Sequence, residues 1–245
     1  MIKIDGVFVI PEKLLKEITV IEQKAIVKQM ISYEVVYPYD SVNQLKFELL
    51  FRVNTIKAAK QLNKSGAKFT TFSYSFSNKK YWTRLINGGF LLRENASPSI
   101  AILDILQNGS LYAFECSTAI AIVLYIAVLH TVGPSIFNKH FQNLYLRDWQ
   151  FDEDLPVYQS IGDDFLIGDV LHFNNPDFDP EQPWWRAENV IYFGGDRFYG
   201  HGVDIRSSSE IINFLNKKRK KQSKDSAYLM RMITRPHYLS LYSLK

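Results

Sequence analysis

One unbroken apolar run constrains the fold of this chain more than any other feature. The run, Ala119–Leu129, follows Ser117 and is closed by Gly133–Pro134. It is too short for a bilayer, which needs about 20 apolar residues. The run therefore predicts a helix that is buried on all sides in a protein core. The only cysteine of the chain, Cys116, stands directly before this helix.

The composition is that of a folded protein that does not depend on an oxidising compartment. Hydrophobic residues make up 47% of the 245 residues and aromatic residues 14%, enough for a sizeable core. A single cysteine excludes an intrachain disulfide and a cysteine-rich zinc site. The N-terminus has no charged segment followed by a long apolar region, so we expect no secretory signal and synthesis in the cytoplasm.

Hydrophobic periodicity predicts helices in the first part of the chain and mostly strands in the last part. The predicted helices are Ile10–Tyr33, Ser41–Lys64, Ser97–Asn108, Ser117–Val132, Ser135–Asn143 and, from a capping box, Ser207–Lys221. The predicted strands are Lys68–Phe76, Tyr81–Leu92, Leu144–Trp149, Phe165–Phe173, Asn189–Phe193 and Phe198–Ile205. No repeat or linker interrupts this order. It predicts a single compact α+β domain over residues 1–245 and argues against a doubly wound parallel sheet.

The positive charge of the chain is concentrated in one place. The net charge is +4, and the run Lys217–Lys221 alone carries five positive charges. Nucleic-acid binding usually needs a basic face with interleaved aromatic residues, so we expect no nucleic-acid partner. The run is interpreted as a solvated helix end, with docking to an acidic protein surface left as the alternative.

Cys116 has two interpretations. At the start of a helix, the helix dipole and free backbone N–H groups lower the pKa of a thiol and favour the nucleophilic thiolate. A lone cysteine beside an apolar helix is also a common small core residue. The pattern around Cys116 alone does not decide between them.

Two strand patterns after the helix favour the catalytic interpretation. Gly168–Phe173 is a strand that opens with Gly-Asp, and Glu188–Phe193 leads through a tight turn to His201. A cysteine on a helix followed by hairpin strands that deliver a histidine is the papain-like arrangement, also found in cell-wall cysteine peptidases. In such a hairpin the side chains of Glu188 and His201 can approach each other across the ladder, and if both point to the same face they form a pair opposite the thiol.

Four segments carry a resemblance to a known family. Lys64–Phe69, Tyr112–Ala119, Trp185–Val190 and His201–Gly202 resemble the spore-coat protein-glutamine γ-glutamyltransferases of Bacillus-type bacteria, and the similarity extends over the whole chain. The resemblance implies a compact, calcium-independent transglutaminase without a cofactor or metal. It implies a papain-like core over residues 111–245, with residues 1–110 as an added N-terminal part. Such enzymes join glutamine and lysine side chains and release ammonia.

The resemblance also assigns roles to residues of this sequence. Cys116 corresponds to the nucleophile, Glu188 to the principal catalytic glutamate, Glu115 to a second glutamate that partly substitutes for it, and His201 to an active-site histidine. We expect Glu188 to accept and return the proton, because a pocket lined by aromatic rings raises the pKa of a carboxyl group. The aromatic residues expected along the substrate tunnel are Phe69, Trp149 and Trp185. Ala187 departs from the family pattern, where a glycine is expected.

The expected partners are glutamine- and lysine-bearing spore-coat proteins, with no membrane partner, and the enzyme is expected to act as a monomer. We expect it in the cytoplasm of the sporulating cell and then in the coat. A papain-like cysteine peptidase or amidase with the same site is the main alternative. A non-catalytic coat or scaffold protein with a buried cysteine is the third.

Other polar residues are given structural interpretations. His130 lies at the far end of the apolar helix, too distant to pair with Cys116. His172 is expected to face solvent or to line the cleft, with a lesser chance of a functional role. The acidic residues Asp163, Asp164 and Asp169 lack the spacing of a calcium loop, so no metal site is predicted.

Overall fold

A computed structural model describes all residues, 1–245. The chain forms eight α-helices, which are α1 Pro11–Glu17, α2 Ile21–Ser32, α3 Val42–Lys64, α4 Pro98–Gln107, α5 Cys116–Val132, α6 Pro134–His140, α7 Ser208–Asn216 and α8 Tyr238–Tyr242. Its strands are β1 Ile2–Ile4, β2 Val7–Phe8, β3 Tyr37–Tyr39, β4 Lys68–Phe69, β5 Trp82–Arg84, β6 Phe90–Leu92, β7 Ala113–Phe114, β8 Tyr145–Leu146, β9 Val157–Ile161, β10 Val170–Asn174, β11 Ala187–Gly194, β12 Arg197–Gly200, β13 Asp204–Arg206 and β14 Tyr228–Pro236. The α+β class is confirmed.

The main sheet has six strands in the order β13-β12-β11-β10-β14-β9, and every neighbouring pair is antiparallel. One face of this sheet packs on the helices through Val170, Ile191 and Tyr199. The other face packs on α7 through residues that include Val190 and Ile211. The sheet is therefore covered on both sides where β10 and β11 run through its centre.

Helix α5 is the buried helix that the apolar run predicts. Nearly all its residues are buried, and it packs against α3, α4, α6 and β11. It ends at Gly133, whose positive φ of 86° stops the helix, and Pro134 begins α6. None of the helices is both long and apolar enough to span a membrane. The helix thus presents its first residue, Cys116, from a rigid support.

The predicted helix Ile10–Tyr33 is wrong in its continuity, because the structure has two helices there. The backbone is extended at Ile18 and at Val20, between α1 and α2. These β-branched residues and the intervening Thr19 disfavour helix and favour extended backbone. The amphipathic pattern continues across both helices, so it does not show the break between them.

The predicted continuation of the last helix to Lys221 is also wrong. Helix α7 keeps its predicted capping box at Ser207 and Glu210 but ends at Asn216. The basic run continues as a turn held by Asp177, whose carboxylate lies 2.8 Å from the Lys220 ammonium. Lys217 thus caps the C-terminal end of α7, as a helix-end position predicts, and the rest of the run is a folded turn beside the helix.

Two strands of the main sheet, β9 and β14, were not predicted. Strand β14 contains Arg231 and Arg235 and ends at Pro236, a composition that is unusual for a strand inside a sheet. Arg235 is nevertheless buried, because its guanidinium group binds acidic side chains of the neighbouring loop. The strand is stabilised by ion pairs that local sequence patterns do not show.

The carboxylate of Asp169, at the start of β10, joins α3 to the sheet. It is fully buried and accepts hydrogen bonds from Arg52 at 2.7 Å and from Arg235 at 2.7 and 2.8 Å. The preceding Gly168 has φ +90°, and a Cβ atom there would lie 3.0 Å from Cβ of Arg52. In this Gly-Asp pair, Gly168 thus allows the backbone to approach α3 closely, and Asp169 supplies the carboxylate of a buried ion cluster.

We predict that Asp169→Asn destabilises the fold strongly. Burial by itself raises the pKa of Asp169, but Arg52 and Arg235 outweigh it, so the pKa is lowered. The substitution removes the carboxylate that two buried guanidinium groups share and leaves Arg52 with Glu48 and Arg235 with Asp164, which costs about 3 kcal/mol in the free energy of unfolding. Because the folded-state pKa is lowered, the stabilisation is complete above the unfolded value of about 3.9 and is lost as the pH falls below it.

Urea denaturation of both proteins at neutral pH measures the difference. The matched control is Asp163→Asn, since Asp163 forms an exposed pair with Arg231 and is expected to contribute less than about 1 kcal/mol. Equal effects of the two substitutions would contradict the role of Asp169.

Candidate active site

Cys116 is the first residue of α5 and is sealed from solvent, with 2% of its surface exposed. Glu115 is the N-cap of the same helix. Its Oε2 accepts hydrogen bonds from the backbone N–H of Ser117 at 2.9 Å and from the Ser117 hydroxyl at 2.5 Å. Its Oε1 accepts a hydrogen bond from the Cys116 thiol at 3.2 Å. A carboxylate thus occupies the position that a thiolate would take at this helix terminus.

The expectation that the helix start lowers the pKa of the thiol is wrong for this structure. Burial raises the pKa of Cys116 well above its ordinary value, and the negative charges of Glu188 and Glu115 raise it further. A hydrogen bond from the backbone of Asn189 acts in the opposite direction and does not outweigh them. Local charge and burial therefore dominate over the helix dipole, and the resting residue is a thiol.

Glu188, on β11, is fully buried, and neither of its carboxyl oxygens has a hydrogen-bond partner. Burial raises its pKa well above the ordinary value, and the charge of Glu115 adds to this. Gly200 makes room for it, because a Cβ atom there would lie 2.6 Å from Glu188 Oε1. An unpartnered buried carboxyl group of raised pKa is a typical proton donor and acceptor in catalysis.

His201 lies directly after β12 and is buried. Its ring stacks on Phe114 with 4.7 Å between centroids, and its Nδ1 lies 3.3 Å from the Tyr199 hydroxyl. Burial lowers the pKa of His201 to about 4, so the ring is neutral at neutral pH.

The predicted pairing of Glu188 with His201 is not formed, since neither Glu188 oxygen has a partner. The strand register explains this. Val190 lies opposite Gly200, which places Asn189, and not Glu188, level with His201. The structure therefore brings Cys116, Glu115 and Glu188 into one electrostatic group and leaves His201 as a neutral neighbour.

The expected tunnel residues lie near the two histidines. Phe69 stacks on Trp185 with 4.9 Å between ring centroids, and Phe69 also lies 6.3 Å from the His201 ring. Trp149 lies 5.6 Å from the ring of His172. Asp148, with φ 52°, donates its backbone N–H to Thr118 of α5 and so fixes the loop that carries Trp149.

Asn189, which the sequence does not single out, lies next to the thiol, and His172 in turn lies next to Asn189. The side-chain amide nitrogen of Asn189 is 3.6 Å from the Cys116 sulfur. The expectation that His172 faces solvent or lines the cleft is wrong, since it is 3% exposed and hydrogen-bonded on both ring nitrogens. The alternation of side chains along β10 predicts this burial, because His172 points to the same face of the sheet as Val170, which packs on the helices.

The acidic residues near β10 are engaged by arginines. Arg235 binds both Asp164 and Asp169, and the exposed Asp163 pairs with Arg231. No group of three or more histidine, cysteine, aspartate and glutamate side chains is arranged to hold a metal ion.

Comparison with known proteins identifies the family. The family model described as protein-glutamine gamma-glutamyltransferase matches residues 1–245. The chain belongs to the protein-glutamine γ-glutamyltransferase family. It is 44% identical to the protein-glutamine gamma-glutamyltransferase of Bacillus subtilis over 89% of each chain. It is 41% identical to that of Bacillus licheniformis over 96% of each chain.

A solved structure of the same family agrees with the fold. The transglutaminase from Geobacillus stearothermophilus, without its C-terminal extension, superposes with a TM-score of 0.80 at 45% sequence identity. The match covers 83% of this chain and 98% of that chain. The protein is thus an enzyme of the protein-glutamine γ-glutamyltransferase family with an α+β fold.

We predict that alkylation of Cys116 by iodoacetamide has a pH midpoint above about 8.5, the ordinary value for a thiol. Burial and two carboxyl groups disfavour the thiolate, and only the thiolate is alkylated. Glu115→Gln is expected to lower the midpoint, since it removes a negative charge and keeps a side-chain oxygen for the helix cap. Intact mass against time at each pH gives the profile.

The control for this series is Glu153→Gln in an exposed loop, which is expected to leave the midpoint unchanged. A wild-type midpoint at or below that of a free thiol would show that the carboxyl groups do not control Cys116.

Proposed function

We propose that this chain transfers the γ-glutamyl group of a glutamine side chain to a lysine amine through a thioester on Cys116. The observation that carries the proposal is the surroundings of the sole cysteine. Its sulfur lies at the start of a rigid helix, buried between two carboxyl groups and an amide. A core cysteine without a catalytic role needs no unpartnered buried carboxyl group beside it, because such a group is costly to bury.

In the first half of the reaction the thiol proton passes to a carboxylate, and sulfur attacks the carboxamide carbon. The C–N bond then breaks, and the leaving ammonia takes the proton from the carboxyl group. In the second half a lysine amine attacks the thioester carbon and gives up a proton. The thiol is regenerated and an isopeptide bond is formed. Every proton moves between the carboxyl group and the reacting atoms.

We assign this proton transfer to Glu188. Its raised pKa favours the protonated form that the leaving ammonia needs, and its oxygens are free of other hydrogen bonds. The Glu115 oxygens already accept hydrogen bonds from Ser117 and from the thiol, so Glu115 supports the site from the helix cap. His201 is neutral, with a pKa of about 4, and makes no hydrogen bond to the thiol, so it supports the site by packing.

Aromatic rings favour an amine over water as the acceptor. The apolar surface comes from Phe69, which stacks on Trp185, and from Trp149, which lies against the His172 ring. Such surface retains the methylene groups of a lysine side chain and excludes bulk water, which limits hydrolysis of the thioester.

We propose that the reaction is independent of calcium and that residues 1–245 act as a single transglutaminase domain and as a monomer. The acidic residues near the site are bound by arginines, which removes them as calcium ligands. The ion pair of Arg52 with Asp169 joins the N-terminal part to the core.

The natural substrates we propose are spore-coat proteins, which the enzyme reaches from the cytoplasm of the sporulating cell. The resemblance of the Tyr112–Ala119 and Trp185–Val190 segments to the spore-coat enzymes supports this assignment.

We predict that the protein incorporates a fluorescent primary amine into a glutamine-bearing protein such as casein, with one ammonia released per amine. Incorporation should persist with a calcium chelator and should be lost in Cys116→Ser. Gel fluorescence and an enzyme-coupled ammonia assay measure the two products. Cleavage of the protein without incorporation would favour a cysteine peptidase or amidase, and an unreactive cysteine would favour a scaffold protein.

We predict that Glu188→Gln lowers kcat for amine incorporation more than His201→Gln does. Loss of a positioned acid–base group typically costs about 10²–10⁴-fold, whereas loss of a neutral packing neighbour costs less. Steady-state kinetics and thermal unfolding of both variants separate catalysis from stability. The reverse order of effects would restore a thiol–imidazole mechanism with His201 as the base.

A further inference from the structure

Three hydrogen-bonding contacts connect the centre of the main sheet to the Cys116 sulfur. The Thr234 hydroxyl on β14 lies 2.8 Å from Nε2 of His172 on β10. Nδ1 of His172 lies 2.7 Å from Oδ1 of Asn189 on β11. The amide nitrogen of Asn189 then lies 3.6 Å from Sγ of Cys116. Side chains of three adjacent strands thus form one series that ends on the nucleophile.

The chemistry of the three groups fixes the direction of these bonds. Oδ1 of Asn189 only accepts, so Nδ1 of His172 carries a hydrogen. Burial lowers the pKa of His172, so its ring is neutral and its Nε2 is an acceptor. The Thr234 hydroxyl must therefore donate. Every hydrogen in the series is oriented toward the sulfur, and the series ends in an N–H group of Asn189.

The opposite orientation of the Asn189 amide would place a carbonyl oxygen against the sulfur. That arrangement suits a thiol that donates to Asn189, but the Cys116 thiol donates to Glu115 instead. It would also repel the thiolate once the thiol proton has left. Holding the amide in one orientation therefore matters for the charged form of the nucleophile.

We propose that His172, supported by Thr234, is a positioning residue that holds the Asn189 amide N–H toward Cys116 and so stabilises the thiolate. The proposal rests on the proposed function of Cys116 as the nucleophile. The other titratable groups around the sulfur are Glu115 from the helix cap, Glu188 from β11 and His201 after β12. The two carboxyl groups oppose the thiolate and His201 is neutral, which leaves the two N–H donors of Asn189 to offset them: its backbone N–H lowers the pKa of Cys116, and its side-chain amide nitrogen lies 3.6 Å from the sulfur.

The strand geometry is consistent with a dedicated position for His172. The ladder between β10 and β14 shifts register between Leu171 and Phe173, opposite His172. Such bulges redirect side chains near active sites. Both His172 and Thr234 are almost fully buried, at 3% and 1% exposure, so water does not compete for their hydrogen bonds.

The test is the pH midpoint of iodoacetamide alkylation of Cys116 together with kcat and KM for amine incorporation. We expect Asn189→Ala and His172→Phe to raise the midpoint and to lower kcat by about 10- to 100-fold, the effect of a hydrogen bond to a charged group. Thr234→Val should change the midpoint and kcat in the same direction but less, because without the Thr234 hydroxyl the tautomer of His172 is no longer fixed. His172→Asn restores a donor near the former Nδ1 and should recover part of the loss.

His130→Asn, at the far end of α5, is the matched control and should leave both quantities unchanged. Thermal unfolding identifies a variant that fails to fold. In that case the proposal is tested with Thr234→Val, which conserves the shape of the side chain. An unchanged midpoint and kcat in His172→Phe, Thr234→Val and Asn189→Ala would overturn the proposal. The alkylation profile needs no substrate. It therefore tests the positioning role of His172 even if the protein does not incorporate an amine.

Discussion

The buried carboxylate of Asp169 is the interaction on which the arrangement of the active site depends. It binds Arg52 of α3 and Arg235 of β14 while its own backbone begins β10. Helix α3 packs on α5, which carries Cys116, so one ion cluster relates the helix of the nucleophile to the strands that face it. Thr234, which precedes Arg235 on β14, bonds His172 on β10, and His172 bonds Asn189.

The electrostatics at Cys116 differ from those of a thiol that is activated by a histidine. The helix terminus, which often stabilises a thiolate, is occupied by the Glu115 carboxylate, and a second carboxyl group is buried nearby. The resting thiol therefore keeps its proton, and under the proposed mechanism the nucleophile forms only when a carboxylate takes that proton. A site of this kind suits an enzyme that must remain inert toward the proteins around it until a glutamine side chain is correctly placed.

Local sequence patterns predicted those features that depend on neighbouring residues. The apolar run predicted α5, and the capping box predicted the start of α7, because both are determined within a few residues. Strand β14 was missed because its buried Arg235 finds its carboxylate partner 66 residues away. The roles of Glu188 and Asn189 depend on the register of β11 with β12, which composition does not determine. The family resemblance supplied Glu115 and Glu188, and the structure added Asn189 and His172.

The position of β14 in the sheet has a consequence for biosynthesis. Although β14 is the last strand of the chain, it lies inside the sheet, between β10 and β9. The sheet stays divided until residues up to 236 have left the ribosome, and the cluster that aligns the nucleophile is incomplete until Arg235 is in place. A nascent chain therefore lacks both this inner strand and the complete ion cluster until its synthesis is nearly finished.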